Sequence, residues 1–491
     1  MKKQAKNHRD ETPPPPEATV YEALPTGPTG RSLIVLNPNS QKSLMRSLKQ
    51  TAGLNVATSS DFEGGAVADD QLGGADALLL ENLNIAVVDA DDEQVQSLTT
   101  AILDEANPVL SVEPEEYVQA FEEEEDGEET APGERLMTEE GRRYLQGYND
   151  AVAGLVQRLL GEAGSAQPDE FDVAATFADT AALTWGLQAV RADRSLFGGS
   201  GIRLAVLDTG MDLRHPDFFG RAMLTASFVP GEAVQDGHSH GTHCIGTACG
   251  PKSPDGKVRR YGVAHQAVIL AGKVLNNAGS GTDGWILAGI NWAIQNRAAI
   301  ISMSLGAPVA VGGTFKQAYE QAAQAALNNN CLIIAAAGNS GNVPVASPAN
   351  CPSIMAVGAL SHNLQRASFS CLGINPNGGE VNIAAPGVSV YSSVPMPTRY
   401  GFKSGTSMAT PHVAGVAALW AQSSGLRGTA LWKKLTGTAL NIGQSASAVG
   451  AGLSLAPTPK LVIRPNLPLR PPFRLPRLFN QPAETNEVLT S

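Results

Sequence analysis

The chain has 491 residues, of which 43% are hydrophobic, 17% are charged and only 5% are aromatic. This length predicts two to four domains, and the 51 glycines and 32 prolines indicate many loops. No Gly-X-Y repeat is present, which excludes a collagen-like chain. No uninterrupted apolar run reaches the roughly 20 residues that cross a bilayer, so we expect no membrane span.

Charge is distributed very unevenly along the chain. Residues 1–180 carry 12 Lys/Arg against 35 Asp/Glu, a net charge of −23, whereas the remaining residues carry a net charge of +11. Opposite charges on two halves of a chain favour docking of one half on the other. A solvated acidic linker is the alternative, because residues 122–129 form one dense acidic run. In both cases the acidic first half argues against nucleic acid as a partner.

The amino-terminal residues and the cysteines bear on location and redox chemistry. The first ten residues lack the apolar segment of a secretory signal, so we expect no ordinary signal peptide. This fits a cytoplasmic location or export by another route. The five cysteines are odd in number, contain no CxxC pair and all follow residue 243, which argues against a zinc ribbon or a dense disulfide framework.

The first half of the chain predicts one small folded unit between low-complexity segments. Residues 1–30 are Pro-rich and are predicted to be disordered. Residues 31–118 predict an α+β unit of ferredoxin-like β-α-β-β-α-β order, with strands at 32–36, 76–81, 84–89 and 109–113 and helices at 41–52 and 91–106. Residues 119–180 predict an acidic linker and an amphipathic helix at 138–163, which needs a partner surface.

Residues 181–457 predict a second and larger α/β domain. Continuous apolar strands are expected at 202–207, 267–270, 299–304, 331–337 and 354–359, with helices at 283–295 and 314–329, the latter capped by Thr314. This alternation predicts a buried parallel sheet sandwiched by helices. Ligands of such folds bind at the carboxyl ends of the strands. Residues 458–491 form a Pro-rich basic tail that is predicted to be extended or disordered.

Three short segments of the second domain carry the residue types of nucleophilic catalysis. Asp208 ends the first apolar strand, His240 lies in a His-Gly-Thr-His segment, and Ser407 begins an apolar helix. A serine hydroxyl needs a base within reach and a third group that fixes the tautomer of that base. Asp208, His240 and Ser407 supply these three types. The helix N-terminus at Ser407 offers free N–H groups to a developing negative charge.

Other residues near these segments allow more than one interpretation. The side-chain amide of Asn339, which follows a small-residue strand, is suited to be a second oxyanion donor. His238, His240 and His243 also have the spacing of metal ligands, although no fourth ligand is evident. Cys244, one helical turn after His240, is interpreted as a small core hydrophobe.

The chain resembles the subtilisin-like serine proteases, or subtilases, over about residues 181–457. The resemblance rests on five motifs in the order of that family: Asp208-Thr209-Gly210, His240-Gly241-Thr242-His243, Ser304-Leu305-Gly306, Ala337-Gly338-Asn339 and Gly405-Thr406-Ser407-Met408-Ala409-Thr410-Pro411-His412. It implies that Asp208 orients His240, that His240 is the general base and then acid, and that Ser407 is the nucleophile. It also implies that Asn339 lies in the oxyanion hole.

The resemblance extends to the first unit and to the substrate. Residues 31–118 resemble the inhibitory propeptide of the family, which implies a zymogen whose own propeptide is a partner in cis. The resemblance also implies that a peptide binds as an extended strand between two edges, with its primary pocket beside them. The residues implied for the edges and the pocket are Gly279, Ser280, Gly281, Ser304, Leu305, Gly306, Ala336, Gly338 and Ala346. These stretches contain no carboxylate, so we expect an apolar or aromatic residue before the scissile bond. Asp283 at the rim is expected to favour a basic or polar residue in an outer subsite.

The resemblance further implies structural calcium. A calcium ligand is expected at Asp217, and a weaker cation site at Glu380 with carbonyl groups near Ala349 and Cys351. The loop that would complete the Asp217 site departs from the family pattern. It is longer and carries four basic residues, Lys252, Lys257, Arg259 and Arg260.

Together these observations predict a serine endopeptidase that hydrolyses protein or peptide substrates. Two alternatives remain at this point: a transacylase or macrocyclase on the same fold, and a non-catalytic scaffold that binds peptides. The complete set of Asp208, His240, Asn339 and Ser407 argues against the scaffold. Only analysis of the products separates acyl transfer to an amine from hydrolysis.

Overall fold

A computed structural model describes residues 24–37, 41–62, 67–68, 71–121 and 176–459. Three predicted segments lie wholly or mostly outside these described residues: the disordered start at 1–30, the acidic linker with the helix at 138–163, and the tail at 458–491. None of the described helices is long and apolar enough to cross a membrane.

The first unit is a sheet with two helices. Its elements are β1 (Pro28–Leu36), α1 (Gln41–Ala52), β2 (Val56–Thr58), β3 (Ala77–Leu80), β4 (Ile85–Val88), α2 (Asp92–Ala101) and β5 (Val109–Ala120). The strand order is β5-β1-β4-β3-β2. Pairing is antiparallel except for the short β2, which runs parallel to β3. Strand β1 begins at Pro28, inside the range predicted to be disordered, because Tyr117 N donates to Gly27 O at 3.0 Å.

Both faces of this sheet are buried, against different partners. Alternate residues such as Ile34, Leu79 and Val88 pack in one cluster with Leu44 of α1 and Leu98 of α2. The intervening residues belong to the hydrophobic cluster of the second domain, among them Leu33, Val35, Leu78, Leu80 and Val87. Because side chains of a strand alternate between faces, the first unit has one face for its own helices and one for the larger domain.

The second domain is the predicted helix-sandwiched parallel sheet. Its elements are α3 (Trp185–Ala189), β6 (Arg203–Asp208), β7 (Met223–Ser227), α4 (His240–Cys249), β8 (Val268–Lys273), β9 (Ser280–Thr282), α5 (Asp283–Gln295), β10 (Ile300–Met303), β11 (Leu305–Gly306), α6 (Gln317–Asn328), β12 (Leu332–Ala336), β13 (Met355–Leu360), β14 (Ile383–Pro386), β15 (Val390–Ser393), β16 (Tyr400–Lys403), α7 (Thr406–Ser424), α8 (Gly428–Gly437) and α9 (Ala446–Val449). Seven parallel strands follow the order β14-β13-β12-β10-β6-β8-β7. Helices α4 and α7 pack on one face and α5 and α6 on the other, which confirms the predicted fold class.

Strand β5 extends from the first unit into the second domain. Its first half pairs with β1, whereas its last residues pair antiparallel with β9 on one side and β11 on the other. Val118 lies opposite Gly281, and Ala120 lies opposite Leu305. The sequence predicted that this strand ends at residue 113. It continues to Ala120 because two strand edges of the second domain supply hydrogen-bonding partners.

Acidic side chains of β5 dock on helix N-termini of the second domain. The carboxylate of Glu113 accepts hydrogen bonds from Gln317 N at 2.8 Å and Ala318 N at 3.0 Å, at the start of α6. These donors explain why α6 begins at Gln317 and not at the predicted cap, Thr314. Free N–H groups and the helix dipole both favour a carboxylate at this position.

Glu115 makes the equivalent contact at α5. Its fully buried carboxylate accepts from Gly284 N at 2.9 Å and from two nitrogens of Arg31, at 2.6 and 2.7 Å. Burial opposes ionisation of Glu115, but the paired Arg31 guanidinium outweighs it and lowers the pKa of this carboxyl. The ion pair and the helix N-terminus therefore fix the direction in which β5 enters the second domain.

Candidate active site

Two of the predicted residues meet at the carboxyl edge of the parallel sheet. Asp208 is the last residue of β6, and His240 is the first residue of α4. His240 Nδ1 lies 2.7 Å from Asp208 Oδ1. Both side chains are 1% exposed or less, so water does not compete for this hydrogen bond.

Burial and the carboxylate act in opposite directions on His240. Burial disfavours the charged imidazolium, but the negative charge of Asp208 favours it more strongly and raises the pKa of His240 well above its ordinary value. His243, one turn later, is buried without such a partner. Burial therefore lowers its pKa well below the ordinary value, while its Nε2 lies 2.9 Å from Val390 O.

Asp236, which the sequence analysis did not single out, fixes the start of α4. Its carboxylate accepts hydrogen bonds from the backbone N–H groups of His238, Ser239 and Thr242, each at 2.9 Å. It also accepts from the hydroxyl of Thr209 at 2.9 Å, which ties α4 to the turn after β6. No helix was predicted to begin at His240, and Asp236 lies three residues before the N-cap position, Ser239, so the simple capping pattern does not identify it.

Lys273 is a second residue that the sequence analysis missed. It ends β8, is fully buried, and its Nζ donates to Thr209 O at 2.7 Å and to Asn277 Oδ1 at 2.9 Å. The carboxylate of Glu232 lies 3.1 Å from the same nitrogen. A paired, fully buried lysine thus supports the turn that follows Asp208. No local sequence pattern signals this contact, because the partners come from separate loops.

Ser407 lies close to His240 but is not hydrogen-bonded to it in this structure. Its Oγ donates to Ser304 O at 3.1 Å, while His240 Nε2 is buried and has no hydrogen-bond partner among the described residues. Cys244 connects the two: its Sγ is 3.9 Å from His240 Nδ1 and 3.5 Å from Ser407 O. The structure therefore contains one of the two expected hydrogen bonds, and Cys244 packs between His240 and the backbone of Ser407.

Asn339 follows β12 and is held by the start of α7. Its Oδ1 accepts from Thr406 N at 2.9 Å and from Thr406 Oγ1 at 2.8 Å. Its Nδ2 is buried and has no hydrogen-bond partner within the described part of the chain. A Cβ on Gly405 would lie 2.9 Å from this Nδ2 and 2.8 Å from the carbonyl oxygen of Phe121, with Ser407 N at 3.6 Å. An amide donor, a backbone donor and a carbonyl oxygen thus surround one small volume.

The predicted edges of the substrate cleft are the two partners of β5. Gly279, Ser280 and Gly281 lie at one edge, and Ser304, Leu305 and Gly306 lie at the other. Ala120 N donates to Gly279 O at 2.9 Å, and Phe121 N donates to Ser304 O at 3.3 Å. The chain's own residues 117–121 therefore occupy the cleft as an extended strand.

Phe121 is half-buried and lines a cavity beside these edges, together with other residues of the first unit. A Cβ on Gly306 would lie 2.8 Å from the Phe121 ring and 2.1 Å from Ser347 O, so only glycine fits there. The cavity measures about 520 Å³ and is also lined by Ala307, Pro308, Asn339 and Ser340, of which only Asn339 was singled out from sequence. The three predicted pocket residues, Ala336, Gly338 and Ala346, are buried. A Cβ on Gly338 would lie 3.0 Å from Ala346 Cβ.

The residues predicted for other roles lie apart from this cavity or are already paired. Asp283 is 1% exposed, and its carboxylate binds Lys316 Nζ at 2.5 Å and the hydroxyl of Tyr319 at 2.8 Å. It therefore does not offer an unpaired charge to an outer subsite. Glu380 is exposed on a loop where Gly379 N donates to Asn350 O at 2.8 Å.

The three neighbouring histidines do not converge on a common point. Among the described residues, the only group of three His, Cys or carboxylate ligands close enough to share a metal ion is Asp208, His240 and Cys244. Neither His238 nor His243 belongs to it. The metal interpretation of these histidines is therefore not supported.

Comparison with known proteins identifies the family to which the chain belongs. The sequence model of the subtilase family matches residues 199–452. Subtilisin NAT of Bacillus subtilis subsp. natto is 38% identical over 319 residues, which cover 62% of this chain and 79% of that protein. Subtilisin DY of Bacillus licheniformis is 40% identical over 54% of this chain and 93% of its own length. Subtilisin Savinase of Lederbergia lenta is 41% identical over 55% of this chain and 96% of its own length.

The site combines a carboxylate-bound imidazole, a serine hydroxyl at a helix N-terminus and a side-chain amide that faces the same small volume as a carbonyl oxygen. These are the groups that acyl transfer from a peptide to serine requires. The matched residues 199–452 contain all four of them. The chain belongs to the subtilase family and is a serine-type endopeptidase.

Proposed function

We propose that this chain is synthesised as a zymogen and that the first bond it cleaves is its own Phe121–Glu122 peptide bond. The observation that carries the proposal is the position of the Phe121 carbonyl oxygen, which faces the same small volume as Ser407 N and as Asn339 Nδ2, an atom without a hydrogen-bond partner among the described residues. Residues 117–120 lead into this point in the extended conformation of a bound substrate. Backbone pairing of this kind provides affinity with little demand on sequence.

In the proposed reaction Ser407 is the nucleophile and His240 the proton carrier. The hydroxyl proton of Ser407 moves to His240 Nε2 while Oγ bonds to the carbonyl carbon of Phe121. The resulting oxyanion accepts hydrogen bonds from Asn339 Nδ2 and Ser407 N. The C–N bond then breaks, and His240 returns the proton to the departing amine. Water repeats the sequence and releases the acyl group as a carboxylate.

Asp208 has a positioning role in this scheme. Its hydrogen bond to Nδ1 keeps Nε2 of His240 available as the base and stabilises the imidazolium that forms. In the structure the Ser407 hydroxyl donates to Ser304 O. For the reaction to begin, this hydroxyl must rotate so that it donates to His240 Nε2 instead. Catalytic hydrogen bonds often tighten only in the reacting complex.

The first unit is the proposed inhibitory propeptide. Its strand β5 fills the cleft, and Glu113 and Glu115 attach the same strand to two helix N-termini of the catalytic domain. Asn82 and Gln321 add hydrogen bonds across the same interface. A substrate cannot enter the cleft while these contacts persist, so the unit acts as an inhibitor in cis.

The close approach of the Phe121 ring to Gly306 supports a preference for an aromatic or large apolar residue before the scissile bond. Ala307 and Pro308 line the adjacent cavity, and among the described residues no carboxylate belongs to its wall apart from Glu116 of the inhibitory strand itself. The pairing of Asp283 with Lys316 removes the basis for a preference for basic residues further from the bond.

Self-cleavage is expected to produce a new amino terminus at Glu122. The measurement is intact mass and amino-terminal sequencing of the purified wild-type chain during incubation. Phe121→Asp, which inserts a charge into an apolar pocket, is expected to slow this cleavage by about 10- to 200-fold. Leu103→Asp, on an exposed position of the same unit, is the matched control and is expected to cleave at the wild-type rate.

Two results would contradict this assignment. One is a primary cut at a distant position that is unaffected by Phe121→Asp. The other is a released unit whose Phe121 carboxyl is joined to an added amine, which would favour acyl transfer over hydrolysis.

The rate of self-cleavage is expected to rise with pH. Only neutral His240 accepts the proton of Ser407, and Asp208 raises the pKa of the buried imidazole well above about 6.5. The neutral fraction therefore increases as pH rises through that elevated pKa. We expect the midpoint of the rise to lie above pH 6.5 when first-order cleavage is followed from about pH 5.5 to about pH 9.5. A flat profile, or a midpoint below 6.5, would show that His240 is not the limiting base.

A further inference from the structure

The carboxylate that the family resemblance assigns to calcium is surrounded by hydrogen-bond donors. Asp217 is 7% exposed, and its Oδ1 accepts from Asp255 N at 2.6 Å. Its Oδ2 accepts a short hydrogen bond from the hydroxyl of Tyr261 and a longer one, at 3.2 Å, from the hydroxyl of Tyr400. The Tyr400 hydroxyl is also 2.9 Å from Asp255 O. Both oxygens of Asp217 are thus already engaged.

The rings and cations around these hydroxyls form one packed group. Tyr391 stacks on Tyr400 with ring centres 5.7 Å apart, and Tyr261 meets Tyr400 at 6.0 Å. Arg399 lies 5.5 Å from the centre of the Tyr400 ring, and Arg259 lies 5.2 Å from that of Tyr391. We call these five residues, with Asp217, the tyrosine–arginine cluster.

The remaining acidic groups near the cluster are neutralised by arginine. Arg399 forms a short ion pair with Asp255, and Arg259 forms one with Asp179. His215 also faces the cluster: its ring meets Tyr400 edge-on at 5.5 Å, and its Nε2 is 2.8 Å from Arg399 O. Asp255 and Asp179 are therefore already paired with arginines and are not free to ligate a divalent cation at Asp217.

The donor set does not fit calcium. Calcium takes six to eight oxygen ligands at about 2.3–2.6 Å, each directing a lone pair at the ion. Around Asp217 the nearest groups are the Tyr261 hydroxyl, which donates to the carboxylate, the Tyr400 hydroxyl, which is shared between Asp217 and Asp255 O, and a backbone N–H that cannot act as a ligand. We infer that the tyrosine–arginine cluster replaces the divalent cation at Asp217, so that this part of the catalytic domain is stabilised without calcium.

The replacement has a structural role of its own. Asp217 follows β6, Asp255 and Tyr261 lie between α4 and β8, and Tyr400 begins β16. The cluster therefore joins three segments that are distant in sequence, and it holds the long basic loop that follows the His240 helix. A metal ion bound by several loops would supply the same kind of cross-link.

The inference is tested by thermal unfolding of the full chain carrying Ser407→Ala, which keeps a single molecular species. Saturating calcium would raise Tm by several degrees if it bound the folded state alone. We expect Tm in about 5 mM CaCl₂ and in about 5 mM EDTA to agree within about 1 °C. A calcium-induced increase that Asp217→Asn abolishes would overturn the inference. An increase that persists in Asp217→Asn places the ion elsewhere and supports it.

Substitutions of two tyrosines provide an independent test, which remains valid even if the Asp217→Asn variant does not fold. Tyr261→Phe leaves a buried carboxylate oxygen short of a donor and is expected to lower Tm by about 3–8 °C. Tyr391→Phe removes a hydroxyl from the same ring cluster that donates no hydrogen bond to Asp217, and is expected to change Tm by less than about 1 °C. Equal effects of the two substitutions would overturn the inference.

Discussion

Ser407→Ala is expected to yield a chain that neither hydrolyses casein nor separates its own first unit. Without Oγ, no atom of the site can bond to the carbonyl carbon of Phe121, although Asn339 Nδ2 and Ser407 N remain near its oxygen. We expect the rate constant to fall by about 10⁶-fold, the scale known for subtilisin itself. Activity against casein and the intact mass of the purified chain measure the two losses separately.

The control for this variant lies on the same helix. Ser424→Ala removes a hydroxyl from the last turn of α7, where its Oγ donates to Trp420 O, and is expected to leave both activities unchanged. Casein hydrolysis by a purified Ser407→Ala chain would refute the assignment of the nucleophile. Cleavage of its first unit without casein hydrolysis would instead refute cleavage in cis.

Asn339→Ala is expected to lower kcat by about 10²- to 10³-fold while KM changes little, again the scale known from subtilisin. Among the described residues the Nδ2 group has no hydrogen-bond partner, and we expect its hydrogen bond to form when the carbonyl oxygen of a substrate becomes an oxyanion. An interaction made only in the transition state affects kcat and not binding. Initial rates on a peptide substrate of the processed enzyme give both constants.

The Thr406→Val variant tests whether the loss of kcat in Asn339→Ala comes from the missing oxyanion donor or from a shift of α7. The substitution removes the bond from Thr406 Oγ1 to Asn339 Oδ1 but keeps the Nδ2 donor and the bond from Thr406 N. We expect a loss of kcat well below that of Asn339→Ala. Equal losses in the two variants would show that Asn339 acts through the position of the helix and not as an oxyanion donor.

The local sequence pattern was sufficient to predict those helices and strands whose stabilising contacts lie within their own segment. The bounds of α1 and α5 agree with the sequence prediction, because each helix has a clear apolar face or a capping residue, such as Thr282 before α5. The parallel sheet followed from continuous apolar strands. Asp208 followed from its position at a strand end, and His240 followed from the His-Gly-Thr-His segment.

The differences arise where a partner distant in sequence decides the structure. The start of α6 depends on Glu113, about 200 residues earlier, and the end of β5 depends on two strand edges of the other domain. The direction of the Ser407 hydroxyl depends on Ser304 O, and the support of the Asp208 turn depends on Lys273. Short-range periodicity carries no information about such contacts.

Because β5 belongs to two sheets at once, folding of the first unit determines which peptide bond faces the nucleophile. Pro114 is paired with Ser32 of β1, and Gln119 is paired with Ser280 of β9 on the same continuous strand. One residue added between these two pairs would reverse the faces of all later side chains. The Phe121 ring would then lie on the opposite face of the strand. Substitutions in this stretch are therefore tolerated in evolution far more readily than insertions or deletions.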